Sequence, residues 1–274
     1  MGREGQSRDD ERSTRRMFKP FARDLVGAAL LLSLFSTPPA RSQDSFQERL
    51  SSARLGYVEP GTYLAGDKVG FAVDAQGDHY LLRFNGSSEV FVLYPDSASL
   101  GGRVLKYDSG ETALQVAGWG GVTLYTDDDP QGLPAVRTGD SVLPMPEVAS
   151  VAGVEDAAQD SAEHLADVNK INLAFSADWN ALAASAPACA VAFDAMENTT
   201  RGLDRFGKSA RGRDALVRRV SAVMLSIAGR PAVGLSGKTL VVTVDPSRGF
   251  EGRASSRAIT RALGALLSVP QKQS

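Results

Sequence analysis

Two histidines, one cysteine and a few acidic or glycine-rich turns are the groups with which this 274-residue chain could do chemistry. His164 and Asp167 stand at i, i+3, close enough to meet on a helix face. Without further ligands such a pair is ordinarily a surface contact, not a metal or catalytic site. Cys189 lies in the apolar run Ala188-Cys189-Ala190-Val191 and reads as a small buried hydrophobe. Pairing it with His164 as nucleophile and base lacks a third, orienting group. His79 is the other candidate base. No G-x-S-x-G, H-E-x-x-H or S-x-x-K occurs in a context that would support it.

Two turns have partial ligand signatures. Gly237-Lys238-Thr239 ends like a phosphate-binding loop, but Ala232 occupies the position of that loop's first glycine. A strand rather than a helix is expected after Lys238, so no helix N-terminus would face phosphate; this is read as a turn with a solvated lysine. Asp127, Asp129 and Gln131 match positions 1, 3 and 5 of a calcium loop, with Gly132 at position 6. Position 12 is Thr138, which cannot supply a bidentate carboxylate, and Pro130 suits a plain turn. The basic run from Arg201 to Arg219 is interrupted by Asp204 and Asp214 and is expected to be a solvated face.

Trp119, flanked by glycines, is the one candidate contact residue. Exposed, it would anchor a sugar ring or a protein; as an isolated aromatic it is expected instead to tuck in and plug one end of the sheet. No catalytic, cofactor-binding or metal-ligating residue is assigned, and no cofactor is expected.

The elements that must position these groups change character along the chain. Ser45 and Glu48 form an S-x-x-E capping box for a short helix over 43–56, closed by Gly56. From 57 to 140, short β-type runs alternate with turns. Asp78–Phe84 and Glu89–Tyr94 flank Asn85-Gly86, a strong hairpin signal. Phe71–Val73, Arg103–Tyr107, Thr112–Ala117, Val122–Thr126 and Leu133–Thr138 continue the rhythm. Turn signals about every ten residues indicate an antiparallel β-meander, closed as a small barrel or folded as a sandwich. Val90–Tyr94 is apolar at successive positions and should be covered on both faces.

Leu143-Pro144-Met145-Pro146 marks a proline-containing linker over 141–154. A smaller α/β domain is expected over 155–274. It begins with a helix over 155–170, whose first turn holds Glu155 and Asp156. Residues 171–176 fit both periods, with strand favoured. A helix runs from Pro187 to about Gly207, and Leu216, Val220, Val223, Met224 and Ile227 are expected to form the apolar face of the next. Lys238–Val244 is a β-branched strand, and a final helix shows Ile259, Leu263, Leu266 and Leu267 on one side. The fold class is therefore α+β.

The N-terminus reads as an export signal over 1–42. Basic residues Arg15, Arg16, Lys19 and Arg23 precede the eleven-residue apolar run Leu25–Phe35, and Ala40-Arg41-Ser42 offers a cleavage site. The run is too short to span a membrane, so no stable span is expected once the signal is removed. Either Met1 or Met17 could be the start, and Arg15-Arg16 resembles a twin-arginine signal. An exported protein, periplasmic or extracellular, is expected.

Of the 274 residues, removal of the first 42 leaves 232. Residues 43–150 hold seven basic and fifteen acidic side chains; residues 151–274 hold fifteen and twelve. This asymmetry argues against nucleic acid as a partner and could let the two parts attract each other. With a single cysteine, no internal disulfide can staple the core.

The chain resembles an uncharacterised family of exported bacterial proteins, a domain of unknown function. The resemblance lies in Leu82-Arg83-Phe84 with Glu89-Val90, in Tyr107-Asp108-Ser109-Gly110, in Gly120–Tyr125 and in Gly252-Arg253-Ala254-Ser255-Ser256. It implies a shared fold and compartment and brings no functional residues. The function expected is a non-enzymatic binding or envelope-interaction module whose partner is an unknown envelope protein or small ligand. A hydrolase or transferase with its site between the two domains is the alternative.

Overall fold

Alternating apolar residues between tight turns build the first part of the protein. The computed structural model describes residues 56–141 and 148–268; the export segment, the expected helix apart from its closing Gly56, and the linker prolines lie outside the described residues. Eight strands follow in order: β1 (Gly61–Ala65), β2 (Val69–Gln76), β3 (His79–Phe84), β4 (Val90–Ser97), β5 (Arg103–Tyr107), β6 (Thr112–Val116), β7 (Val122–Leu124) and β8 (Leu133–Gly139). Each is antiparallel to the next, and β8 pairs back with β1 to close a barrel. The meander is thus a barrel rather than a sandwich. Its β3–β4 turn is Asn85-Gly86, with Gly86 at φ +77°, a conformation open to glycine.

The sequence reading did not name β1. In Gly61-Thr62-Tyr63-Leu64-Ala65, Tyr63 and Ala65 point into the barrel, while Thr62 and Leu64 pair outward against β8. A register shift at Thr62/Tyr63 and another at Leu105/Lys106 add the local bend that closure requires. Eight strands enclose just enough room for side chains. Tyr63, Phe71, Leu82, Leu93, Leu105 and Leu114 fill that space, with Tyr63 stacked on Phe71 at 5.3 Å and Phe91 edge-on to Tyr107 at 5.1 Å. The lumen is a core, not a ligand cavity.

Helices then lie on one face of a second sheet. They are α1 (Val151–His164), α2 (Trp179–Ala183), α3 (Ala186–Gly207), α4 (Ala210–Arg219) and α5 (Ser256–Leu266). The strands are β9 (Ala174–Ala177), β10 (Ala222–Ile227), β11 (Ala232–Ser236) and β12 (Thr239–Val244), in spatial order β11-β12-β10-β9. β9, β10 and β12 are parallel, and β11 is antiparallel to β12. Val223, Leu225, Leu240, Val242 and Val244 face the helices and are buried; alternate residues are half-buried.

Three elements differ from the sequence reading. α1 starts at Val151, inside the stretch assigned to the linker, because Ser150 caps it by accepting the Gly153 N–H. It passes into a π-turn at Leu165–Asn169, so the favoured strand over 171–176 begins later, at Ala174. The apolar series Leu216–Ile227 is not one helix: α4 stops at Arg219, and Val223, Met224 and Ile227 belong to β10. Between β9 and β12 that run gains two backbone ladders, and its valines favour the extended form.

α3 and α5 approach closely because Gly202 has no side chain; a Cβ there would lie 2.7 Å from the Ile259 Cγ2. As expected, β4 is covered on both sides over Val90–Leu93, whereas Tyr94, expected to be covered as well, is exposed. Phe91 and Leu93 face the lumen, while Val90 and Val92 pack with Leu81 and Phe250 outside.

Candidate functional site

An antiparallel meander sends its odd-numbered turns to one end and its even-numbered turns to the other. The β3–β4, β5–β6 and β7–β8 connections therefore share one barrel end, and that end meets α3 and α5. Glu89 accepts the Ser256 N–H and Oγ–H, both at 2.8 Å. Asp108 accepts the Ser255 N–H at 2.7 Å and its Oγ–H at 2.5 Å. Ser255 is the N-cap of α5, and its Oγ also accepts the Ala258 N–H. Two barrel carboxylates thus sit at the positive end of this helix, where orphan N–H groups favour anions. Burial raises the pKa of both acids, opposed by the serine hydrogen bonds and nearby arginines.

Basic groups of the helical layer complete this seam. Arg257 pairs with Glu111 at 2.9 Å and Asp127 at 2.8 Å, and its guanidinium lies 4.5 Å from the Tyr107 ring centroid. Arg205 also pairs with Asp127, and Arg201 donates to Ser88 at 2.7 Å. Each nitrogen of Arg253 donates: to Asp194 at 3.0 Å, to the Phe250 carbonyl at 3.2 Å and to the Val90 carbonyl at 2.8 Å. The uneven charge of the two parts is resolved here into named pairs. Contrary to the sequence reading, Arg201 and Arg205 are not simply a solvated face; Arg211, Arg213, Arg218 and Arg219 are exposed.

Beside the seam lies a pocket of about 220 Å³ between β4, the start of β11 and α5. Tyr94, Asp108, Glu251 and Arg253 supply its polar wall; Val92, Val233 and Ala262 are among its apolar groups. The Tyr94 hydroxyl donates to Glu251 at 3.4 Å. Its pKa is pushed up to about 12 by burial and then by the negative charges of Glu251 and Asp108.

The residues singled out from sequence are dispersed. His79 is buried, with ring nitrogens 3.3 Å from Asp78 and Gln76 and 3.7 Å from Glu251, one side chain away from the pocket. His164 bonds Asp204 on α3 at 2.7 Å rather than Asp167. Cys189 is buried with its Sγ 3.4 Å from the Leu182 carbonyl. Asp127 and Asp129 are taken up by ion pairs, the latter with Lys68 at 2.9 Å. Among the described residues no group of three or more His, Cys, Asp or Glu side chains could hold a metal ion. Gly237, at φ +60°, turns β11 into β12.

Trp119 corrects the expectation of a plug. It is 83% exposed on the β6–β7 turn, at the barrel end away from the helices. The turn closes on itself through the Ala117 N–H to the Gly121 carbonyl and the Gly120 N–H to the Ala117 carbonyl, both 2.8 Å, so the ring is projected outward. On the adjacent β4–β5 turn, Leu100 is 87% exposed and has φ +57°, a left-handed geometry unusual for leucine. The two turns touch where the Leu100 carbonyl meets Gly118, leaving no room for a Cβ.

Sequence reasoning missed Glu89, Asp108, Ser255 and Arg253 as a group. The serines at the start of the last helix were a visible capping signal, but the acidic partner of Ser255 is 147 residues away and that of Ser256 is 167. These residues fall in the segments that carried the family resemblance, and the fold brings those segments together.

Among the described residues, no helix is long and apolar enough to cross a membrane. No curated protein and no solved structure matches the chain. Residues 44–263 match the family described as Domain of unknown function (DUF4908), and the chain belongs to that family.

Proposed function

We propose that this is an exported, non-enzymatic binding module, periplasmic or extracellular, whose free barrel end contacts an envelope partner. The observation behind this reading is the joint exposure of Leu100 and Trp119 on touching turns. A leucine held in left-handed backbone costs about 1 kcal/mol or more, and nothing in the barrel core is gained by it. Large apolar groups presented together, with an aromatic among them, are the usual anchors of a contact surface.

The alternative, a hydrolase or transferase between the two parts, has a pocket in the appropriate place. Yet both oxygens of Asp108 bond Ser255, each nitrogen of the Arg253 guanidinium donates to an acceptor, and both histidines have partners outside the pocket. No nucleophile–base pair forms there.

The test is site-specific photocrosslinking in envelope-bearing cells. A photoreactive residue at position 119 is compared with one at Val217, an exposed position on α4. A discrete adduct from 119 alone, lost when Leu100 is changed to Asp, is expected. Equal adducts from both positions, or none from 119, would overturn the reading. Fractionation of a chain started at Met17 tests export separately.

A further inference from the structure

The parallel strands β9, β10 and β12 begin side by side, with Ala174, Ala222 and Thr239 in register. The residues leading into them gather cations at one end of the helical layer. Lys170 precedes β9, Arg218 and Arg219 precede β10, and Lys238 precedes β12; all four are exposed. Gly207 holds the π-turn beside α4, since a Cβ on it would lie 3.2 Å from Asn169 Nδ2 and 3.9 Å from Leu216 Cδ1. Lys208, Arg211 and Arg213, also exposed, extend the cluster along α4. Segments 165–171, 208–221 and 237–238 together hold these seven basic side chains and two acidic ones, Asp167 and Asp214. Toward the barrel, by contrast, Arg201, Arg205, Arg253 and Arg257 each pair with a carboxylate. None of the seven cations has a side-chain partner among the described residues. Clustered and unpaired, they repel one another and add nothing to the fold. Lys170 also sits at φ +57°, a left-handed backbone that glycine or asparagine adopts more readily.

We infer that this end of the helical layer docks on an anionic phospholipid surface, with Arg211 and Arg218, about two turns apart on α4, holding headgroup phosphates. A guanidinium matches phosphate oxygens two at a time. Val168 and Val217, 65% and 59% exposed among the cations, add small apolar contacts at headgroup depth. The three segments contain no aromatic side chain on which nucleic-acid bases could stack. Their exposed apolar groups are valines, not the aromatic anchors of a protein interface. Each cation brought to an anionic leaflet strengthens partitioning roughly fivefold. The inference does not rest on a partner at the free barrel end. A lipid attached at Val217 would add no protein-sized band to the crosslinking test of that partner.

Vesicle co-sedimentation of the mature chain tests this, with phosphatidylglycerol and phosphatidylcholine mixed about 2:3 against phosphatidylcholine alone. Binding to the mixed vesicles only, at about 50 mM salt and lost by about 500 mM, is expected. The double variant Arg211→Gln, Arg218→Gln should bind about thirtyfold more weakly. The double variant Lys68→Gln, Lys106→Gln removes two exposed charges from the barrel instead and should stay within about twofold of wild type. Thermal unfolding confirms that both variants fold. Binding no better than to phosphatidylcholine alone, or equal losses in the two double variants, overturns the inference. So does tighter binding of single-stranded DNA or of polyglutamate than of the mixed vesicles.

Discussion

Asp108 and Ser255, 147 residues apart, are joined by two hydrogen bonds that the carboxylate accepts, from the serine N–H at 2.7 Å and from its Oγ–H at 2.5 Å. Together with Glu89 and Ser256 they fasten a barrel end to the first turn of α5. The barrel and helical layer are therefore joined by polar groups that are satisfied only in each other's presence.

Removing one partner should cost more than changing its charge. Glu89→Ala leaves the Ser256 N–H and hydroxyl buried without acceptors and is expected to destabilise by about 2–4 kcal/mol. Glu89→Gln keeps an acceptor for the N–H and can donate to the hydroxyl, so a loss of about 1 kcal/mol or less is expected. Urea unfolding of both variants measures the difference; equal losses would mean that charge, not hydrogen bonding, holds the seam.

The same carboxylates set a pH dependence. Burial raises both folded-state pKa values, so between the ordinary carboxylate value and the raised one the folded state binds more protons than the unfolded. Their contribution to stability must fall as pH rises through that window and recover as pH falls. The double variant Glu89→Gln, Asp108→Asn cannot titrate there. Wild type should gain stability relative to it on mild acidification, measured by urea unfolding at a series of pH values. A relative loss would reverse the sign and refute the assignment.

Trp119 and Trp179 are the only tryptophans and differ in setting: Trp119 is 83% exposed, whereas Trp179 is half-buried against the helical core. Acrylamide quenching should therefore act mainly on Trp119, and Trp119→Phe should remove most of the quenchable emission. Stability should change by no more than about 0.5 kcal/mol, as for an exposed side chain without core contacts.

Gly202→Ala sets two opposed effects against each other. An alanine gains about 1 kcal/mol over glycine in a helix. Its Cβ would lie 2.7 Å from Ile259 Cγ2 and 2.8 Å from Ile259 Cβ, so α3 and α5 must separate. Overpacking of that kind costs about 1–3 kcal/mol and should win, giving a net loss in thermal or urea unfolding. A stabilised variant would show that the two helices can part freely.

The sequence by itself determined what depends on near neighbours. Asn85-Gly86, the regular turn signals and the alternation in β3 to β8 specified an antiparallel meander, and Pro187 with its following apolar stripe specified α3. The family resemblance was legible in the same short segments. At Leu216–Ile227 the apolar spacing read as a single helix, and the neighbouring strands β9 and β12 overrode it by pairing with its second half.

Barrel closure, the exposure of Trp119 and the pairing of Glu89 and Asp108 with α5 belong to tertiary structure alone. Each depends on which remote surfaces meet. A carboxylate beside a tight turn looks the same in sequence whether it faces water or, as Asp108 does, the buried start of a helix 147 residues away.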